Sequence, residues 1–151
     1  LGHGSWDRRG AMNAFVRMAT ESGSTTSPTL MRDRTPAQTT VGEAEAIISG
    51  SRAYVLNKVE AIWEGACRGD SDPGPRVLQA RLAITHSMRE SVRAVDMLFG
   101  AAGTNSIHES NDLELYFRDI HTACQHIAGL HSNFEYGGQI LMGLPPGASG
   151  W

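Results

Sequence analysis

Residues 35–66 read TPAQTTVGEAEAIISGSRAYVLNKVEAIWEGA, and the steps between their apolar and small side chains decide the fold class. Val41, Ala44, Ile48, Ser51, Val55, Val59, Ile62 and Ala66 recur every three or four positions, the spacing that lines one face of a helix. Thr35-Pro36-Ala37-Gln38 has the form of a capping box. Thr35 is placed to accept from the backbone N–H three residues on, Gln38 to reach back, and Pro36 to sit where its missing N–H costs nothing. The run predicts a helix of about thirty residues, roughly 45 Å long at 1.5 Å per residue. Gly69-Asp70-Ser71-Asp72-Pro73-Gly74 supplies its stop and a turn.

Outward from this stretch the same period continues. Pro75 opens a further helix carrying Val77, Ala80, Ile84, Met88, Val92, Val95 and Leu98, closed by Gly100. The small-residue segment Ala101-Ala102-Gly103-Thr104-Asn105-Ser106 is not expected to pack as a core element. Ser110 or Asn111 then caps a helix with Asp112 and Glu114 in its first turn, where the helix dipole favours them. Its apolar face is Leu113, Tyr116, Phe117, Ile120, Cys124 and Ile127; the pattern fades at Tyr136-Gly137-Gly138 and resumes briefly over Gln139–Met142. Upstream, a shorter helix from about Ser5 to Ala19 places Trp6, Met12, Phe15, Val16 and Ala19 on one side, interrupted by Gly10. Glu21–Thr29, rich in Ser, Thr and Gly, reads as a mobile loop. No segment alternates with period two for long enough to demand a strand. The expected fold is all-α, an up-down four-helix bundle. Helices of this length leave apolar side surface that oligomerisation would cover.

Composition narrows the function. The chain of 151 residues carries 13 Lys+Arg against 16 Asp+Glu, a formal charge of −3, so it spreads no basic field for binding nucleic acid by counterion release. No apolar run approaches the roughly 20 residues that cross a bilayer, and the start does not read as a signal peptide. Two cysteines, Cys67 and Cys124, show no paired spacing and are expected to be buried thiols in a reducing, cytoplasmic setting. The chain opens on Leu-Gly-His-Gly and is helical in pattern almost at once, as expected of one domain of a longer protein.

No P-loop, GxSxG, CxxC or GxGxxG motif is present, which removes several enzyme classes. Candidate chemistry concentrates in Arg118-Asp119-Ile120-His121-Thr122-Ala123-Cys124-Gln125-His126. His121, His126 and His131 are spaced by five, and each such step turns about 140° around a helix, so one helix cannot aim them at a common metal ion. His126 lies at the edge of the apolar stripe beside Cys124 and Ile127, where an imidazole can line a pocket and exchange protons near neutral pH. Arg118 and Asp119 read either as partners of other helices or, for Arg118, as a phosphate or loop anchor. Gly100–Ser106 reads either as a plain connection or as a ligand loop offering backbone N–H groups and the Thr104 and Ser106 hydroxyls.

Three segments resemble the C-terminal helical domain of the acyl-CoA dehydrogenase superfamily: Leu98-Phe99-Gly100-Ala101-Ala102-Gly103-Thr104, the run from Leu113 through Tyr116-Phe117-Arg118-Asp119 to His126, and Arg9-Gly10-Ala11-Met12-Asn13-Ala14-Phe15. With Thr35–Ala66 between them, the resemblance covers nearly the whole chain. It implies that an N-terminal helical domain and a middle β domain precede this bundle. It also implies a homotetramer in which the flavin lies between bundle and β domain, completed by a neighbouring subunit, so that the bundle alone does not turn over substrate. Two departures bear on the branch. Dehydrogenases carry Arg-x-x-Phe-Gly before the long helix, whereas Ser27–Arg34 has no Phe-Gly. They also place a catalytic Glu shortly after the Arg-Asp pair, whereas Cys124-Gln125-His126-Ile127-Ala128-Gly129 has no carboxylate.

The sequence is therefore most similar to the flavin-dependent monooxygenase branch, which hydroxylates phenols and other aromatic molecules with reduced FMN or FAD supplied by a separate reductase. That resemblance implies His126 as the pocket imidazole, deprotonating a phenol or stabilising oxygen carried by the flavin, with His121 as second candidate. It implies flavin contacts from Gly103, Thr104 and Ser106, with Arg118 as an anchor. The rival expectations are an acyl-CoA dehydrogenase-like oxidoreductase taking its base from another domain, and a non-catalytic helical oligomerisation module.

Overall fold

The computed structural model of the chain describes residues 8–21, 23–24, 27–107 and 112–144. Among the described residues there are five helices: α1 Arg8–Glu21, α2 Thr35–Cys67, α3 Gly74–Ala102, α4 Leu113–Ala123 and α5 Ser132–Leu141. Two short strands, β1 Gly23–Ser24 and β2 Ser27–Leu30, pair antiparallel between α1 and α2. The expected loop is thus in part a hairpin, held by backbone bonds that need no alternation of apolar side chains. Single 3-10 turns lie at Met31–Asp33, Gly103–Ile107 and Ile127–Gly129.

The long helix α2 begins where the sequence places it, but without the capping box. Arg34 is the residue before the first turn, no side chain caps it, and Gln38 Nε2 donates instead to the Arg32 carbonyl at 3.1 Å. Thr35 is already inside the helix, so its hydroxyl is not in the capping position. The stop is as read: Gly69 takes φ +73°, and Asp72 Oδ1 accepts from the Gly74 N–H at 3.0 Å to start α3. The proposed caps Ser110 and Asn111, like Trp6, lie outside the described residues.

α3 is the central element, touching α1, α2, α4, α5 and the turns at 103–107 and 127–129. Close approach of these neighbours goes with small buried residues along it: Ala80, Ala83, Thr85, Ser87, Ser91 and Ala94. Val77 and Ile84, expected on the inner face, are exposed instead. The main core forms where α1 and α4 cover the α2–α3 pair, with Phe15, Val95, Leu98 and Leu113 fully enclosed among Met12, Met18, Ala44 and Ile48. Ala102, assigned by sequence to a segment outside the core, is buried with them. Gly10 does not break α1. A Cβ there would stand 2.5 Å from the Tyr116 ring, so glycine is what lets α1 and α4 approach.

Only part of the α2 stripe is used within the chain. α1 has 14 residues and α4 has 11 against 33 in α2, and at 1.5 Å per residue α1 covers about 21 Å of a helix about 50 Å long. Beyond Ser51, Val55 and Ile62 of the stripe are half-buried and Val59 is 48% exposed, and beside the stripe Leu56 and Trp63 are 54% and 71% exposed. Cys67 at the end of the same helix is exposed and Cys124 is half-buried, against the expectation of two buried thiols. Among the described residues no helix is long and apolar enough to cross a membrane. Leu98→Ala, at a site with 0% exposure, should lower unfolding stability by about 2–5 kcal/mol. Leu56→Ala should cost less than about 1 kcal/mol. Urea denaturation followed by circular dichroism measures both.

Candidate functional site

A further departure from the sequence reading falls at the candidate site. α4 does not run on to Ile127 but ends at Ala123, with Cys124 as its last half-turn. His126 then adopts extended backbone at φ −60°, ψ 147°, opening the turn Ile127–Gly129, and α5 starts at Ser132. Gly129 is required by close approach, since a Cβ on it would lie 2.5 Å from the Cys124 carbonyl oxygen. Ending the helix here removes carbonyl partners that the chain must replace.

The replacements come from two other helices. Thr85 of α3, fully buried, donates from Oγ1 to the Ala128 carbonyl at 2.7 Å. Asn133 of α5, also buried, donates from Nδ2 to the Ile127 carbonyl at 2.9 Å. The same nitrogen reaches the Ala128 carbonyl at 3.3 Å and Thr85 Oγ1 at 3.1 Å. The turn is clamped from both sides by buried polar groups that are themselves satisfied, the condition under which such groups stabilise a fold.

His126 stands on this turn with an exposed side chain, and its Nδ1 accepts the Ala128 N–H at 3.2 Å. It is not on the apolar stripe of α4, because the helix has ended before it. Its position beside Ile127, itself exposed, comes from the turn.

His121 lies elsewhere, on α4 facing α3. Its Nε2 is 2.9 Å from Asp96 Oδ1. Its ring lies 4.5 Å from that of Phe117, which stacks at 4.3 Å on Phe99. Asp96 and Phe99 are three apart on α3, and Phe117 and His121 four apart on α4, so one face of each helix builds this aromatic row. His131 sits immediately before α5 with its ring edge-on to Phe134 at 5.5 Å. The three histidines thus occupy a helix, a turn and the residue before α5, and are not brought to one point. Among the described residues no three His, Cys, Asp or Glu side chains converge as metal ligands.

The remaining candidates are placed as follows. Gly103 ends α3 with φ +56° and is exposed, as is Thr104. Ser106 is buried and donates from Oγ to the Gly103 carbonyl at 2.6 Å, holding the turn together. Arg118 is exposed on α4 and pairs with Glu114 at 3.6 Å. The turn bearing Gly103, Thr104 and Ser106 packs on α4. Asp96, Thr85 and Asn133 had no signal in the sequence. Asp96 and His121 are separated by 25 positions and Thr85 and Asn133 by 48, and no local spacing marks pairs so distant.

The sequence profile of the acyl-CoA dehydrogenase C-terminal domain matches residues 8–130. The chain belongs to that family. It is 29% identical over 141 residues to an indole-3-acetate monooxygenase of Pseudomonas putida, covering 91% of this chain and 36% of that protein. A second indole-3-acetate monooxygenase, from Acinetobacter baumannii, is 21% identical over 136 residues, 90% of this chain and 35% of its own length. The chain spans little more than a third of the curated relatives it matches.

Among solved structures, XiaF from a Streptomyces species, in complex with FADH2 and glycerol, superposes with TM-score 0.84 at 25% identity over 95% of this chain and 37% of that one. The HsaA monooxygenase from M. tuberculosis superposes with TM-score 0.78 at 22% identity, over 93% and 35%. The shared fold supports the all-α bundle.

The His121–Asp96 contact joins side chains 41% and 47% exposed, where solvent screens the attraction. A double-mutant cycle of Asp96→Asn with His121→Phe should therefore return a coupling below about 1 kcal/mol in urea denaturation; a larger coupling would mean that the pair is shielded from water.

Proposed function

We propose that this chain is the C-terminal helical bundle of a two-component monooxygenase that uses reduced flavin to hydroxylate an aromatic or related small molecule. The observation that carries the reading is the match, along nine-tenths of this chain, to two indole-3-acetate monooxygenases. XiaF, of the same fold, binds FADH2. The absence of a carboxylate from residues 124–129 weighs against the dehydrogenase alternative, which abstracts a proton through such a group.

The residues present suit one wall of a flavin site. The half-exposed Phe99–Phe117–His121 row offers aromatic faces for a planar ring system. Exposed Gly103 and Thr104, on a turn packed against α4, and the guanidinium of Arg118 offer donors to its polar edges and phosphate. On this reading Gly103, Thr104 and Arg118 hold the cofactor, FAD or FMN. Ser106, its hydroxyl already bound to Gly103, shapes their turn from within. When bound, the reduced flavin supplies the electrons that activate dioxygen.

His126 and His121 are the residues of this chain that can orient or exchange protons with a phenol or indole. A phenolate gives electrons to an electrophilic oxygen more readily than a phenol does, so controlling that proton is the chemical need. The exposed apolar half of α2 supports a homotetramer, in which a neighbouring copy or another domain of the full protein covers Leu56, Val59 and Trp63. The full protein would carry helical and β domains ahead of this bundle, work in the cytoplasm and draw reduced flavin from a separate reductase.

The test uses the full-length protein, reduced FAD or FMN regenerated by a flavin reductase, 18O2, and a panel of phenols with indole-3-acetate. One labelled oxygen atom should enter the product. His126→Ala should lower product formation by about 10²–10⁴-fold with an unchanged elution volume on size exclusion. Oxidation of an acyl-CoA with an electron acceptor, and no label incorporated, would establish the dehydrogenase alternative. Normal hydroxylation by the His126 variant would remove that residue from the site.

A further inference from the structure

We infer that Thr85 and Asn133 are positioning residues that hold His126 in a single tautomer, with the proton on Nε2, so that this imidazole works as a hydrogen-bond donor. The inference rests on the reading of His126 as the pocket imidazole, and it changes what that imidazole can do.

A neutral imidazole carries one N–H, and its partners decide which nitrogen bears it. The partner of Nδ1 is a backbone amide, the Ala128 N–H at 3.2 Å. A backbone N–H can only donate, so Nδ1 must keep its lone pair, and the proton resides on Nε2. Among the described residues nothing bonds Nε2, and the side chain is exposed. In its neutral form His126 therefore presents a donor at its free nitrogen. It cannot take a proton from a phenol there without first surrendering its own.

What keeps the Ala128 N–H aimed at Nδ1 is the clamp beneath it. The amide belongs to a turn in which Gly129 N donates to the His126 carbonyl at 2.7 Å. The carbonyls on the far side of that turn are taken by Asn133 and by the Thr85 hydroxyl. Thr85 and Asn133 come from α3 and α5 and bond each other at 3.1 Å. Losing Thr85 would leave the Ala128 carbonyl only the longer Asn133 bond at 3.3 Å, losing Asn133 would leave the Ile127 carbonyl only the Leu130 N–H at 3.4 Å, and with its short bonds gone the turn is free to rotate towards water. Rotation carries the Ala128 N–H away from Nδ1, and the preference for one tautomer goes with it. Residues behind a ligating or catalytic histidine set its tautomer and orientation in this way.

The decisive measurement is long-range nitrogen–proton NMR of the imidazole rings in the full chain, above the pH at which the histidines are charged, with His126→Asn assigning the resonance. The native protein should show His126 Nδ1 in the range of a bare ring nitrogen and Nε2 in the N–H range. Thr85→Ser, which keeps the hydroxyl, should leave both unchanged. Thr85→Val and Asn133→Leu should draw the two nitrogen shifts towards each other as the tautomers mix. Ala128→Pro gives the same result without touching the buried clamp. It removes the donor at the second position of a 3-10 turn, where the fixed φ of proline is acceptable, and leaves the Ala128 carbonyl in place, although it also restricts the backbone of Ile127. A native His126 protonated on Nδ1, or an unchanged Nε2–H form in Ala128→Pro, overturns the inference even if the clamp variants fail to fold.

The NMR needs no flavin, so failure of the monooxygenase reading would leave the tautomer result standing. In the full-length protein with reduced flavin, His126→Gln, which keeps an N–H donor, should retain more product formation than His126→Glu, which is a base. The reverse order would assign His126 as a proton acceptor.

Discussion

Crowding around α3 is the constraint on which the rest of the molecule depends. α3 meets α1, α2, α4 and α5 along its length. Most of its buried positions are small, Ala80, Ala83, Thr85, Ser87, Ser91, Ala94 and Ala102, with large side chains at Leu78, Val95 and Leu98. Such packing stabilises through close contact. It also leaves hydroxyls in the interior that need partners. Ser91 returns its proton to the Ser87 carbonyl at 2.6 Å. Thr85 instead reaches out of the helix to the turn that carries His126.

That one outward hydrogen bond links the core to the turn that carries His126. The chain leaves the helix at Cys124, so the Ile127 and Ala128 carbonyls have no helical partner, and Thr85 and Asn133 donate to them from buried positions. The turn carries the exposed imidazole, whose Nδ1 accepts the Ala128 N–H. His121, by contrast, is positioned by partners at the surface, Asp96 and the Phe117 ring. The two histidines are five residues apart in sequence, yet one is oriented by a buried network and the other by half-exposed side chains. Different consequences on substitution follow from that difference alone.

The short lengths of α1 and α4 matter equally. They cover only one end of the α2–α3 pair, so apolar side chains whose spacing is indistinguishable from core spacing finish in the open on α2. Family membership, shown over residues 8–130, gives those side chains a context. The chain spans 36% of one curated relative.

The sequence by itself determined the helical class, the extent of α2 and α3 and the turn between them. It also carried the family resemblance, through Arg118-Asp119 and the run to His126. These are local properties: a period of three and four, a Gly-Pro stop and a contiguous motif are all written within a few turns of chain. Only the tertiary structure decided where α4 ends, which half of α2 is covered and that Thr85 and Asn133 meet at the turn. A buried hydroxyl stabilises or destabilises according to what lies opposite it, and the partners of Thr85 are 43 and 48 positions away. The periodic pattern through Cys124 and Ile127 therefore read as more helix. Gly129 against the Cys124 carbonyl, with two buried donors waiting for the freed backbone, made it a turn.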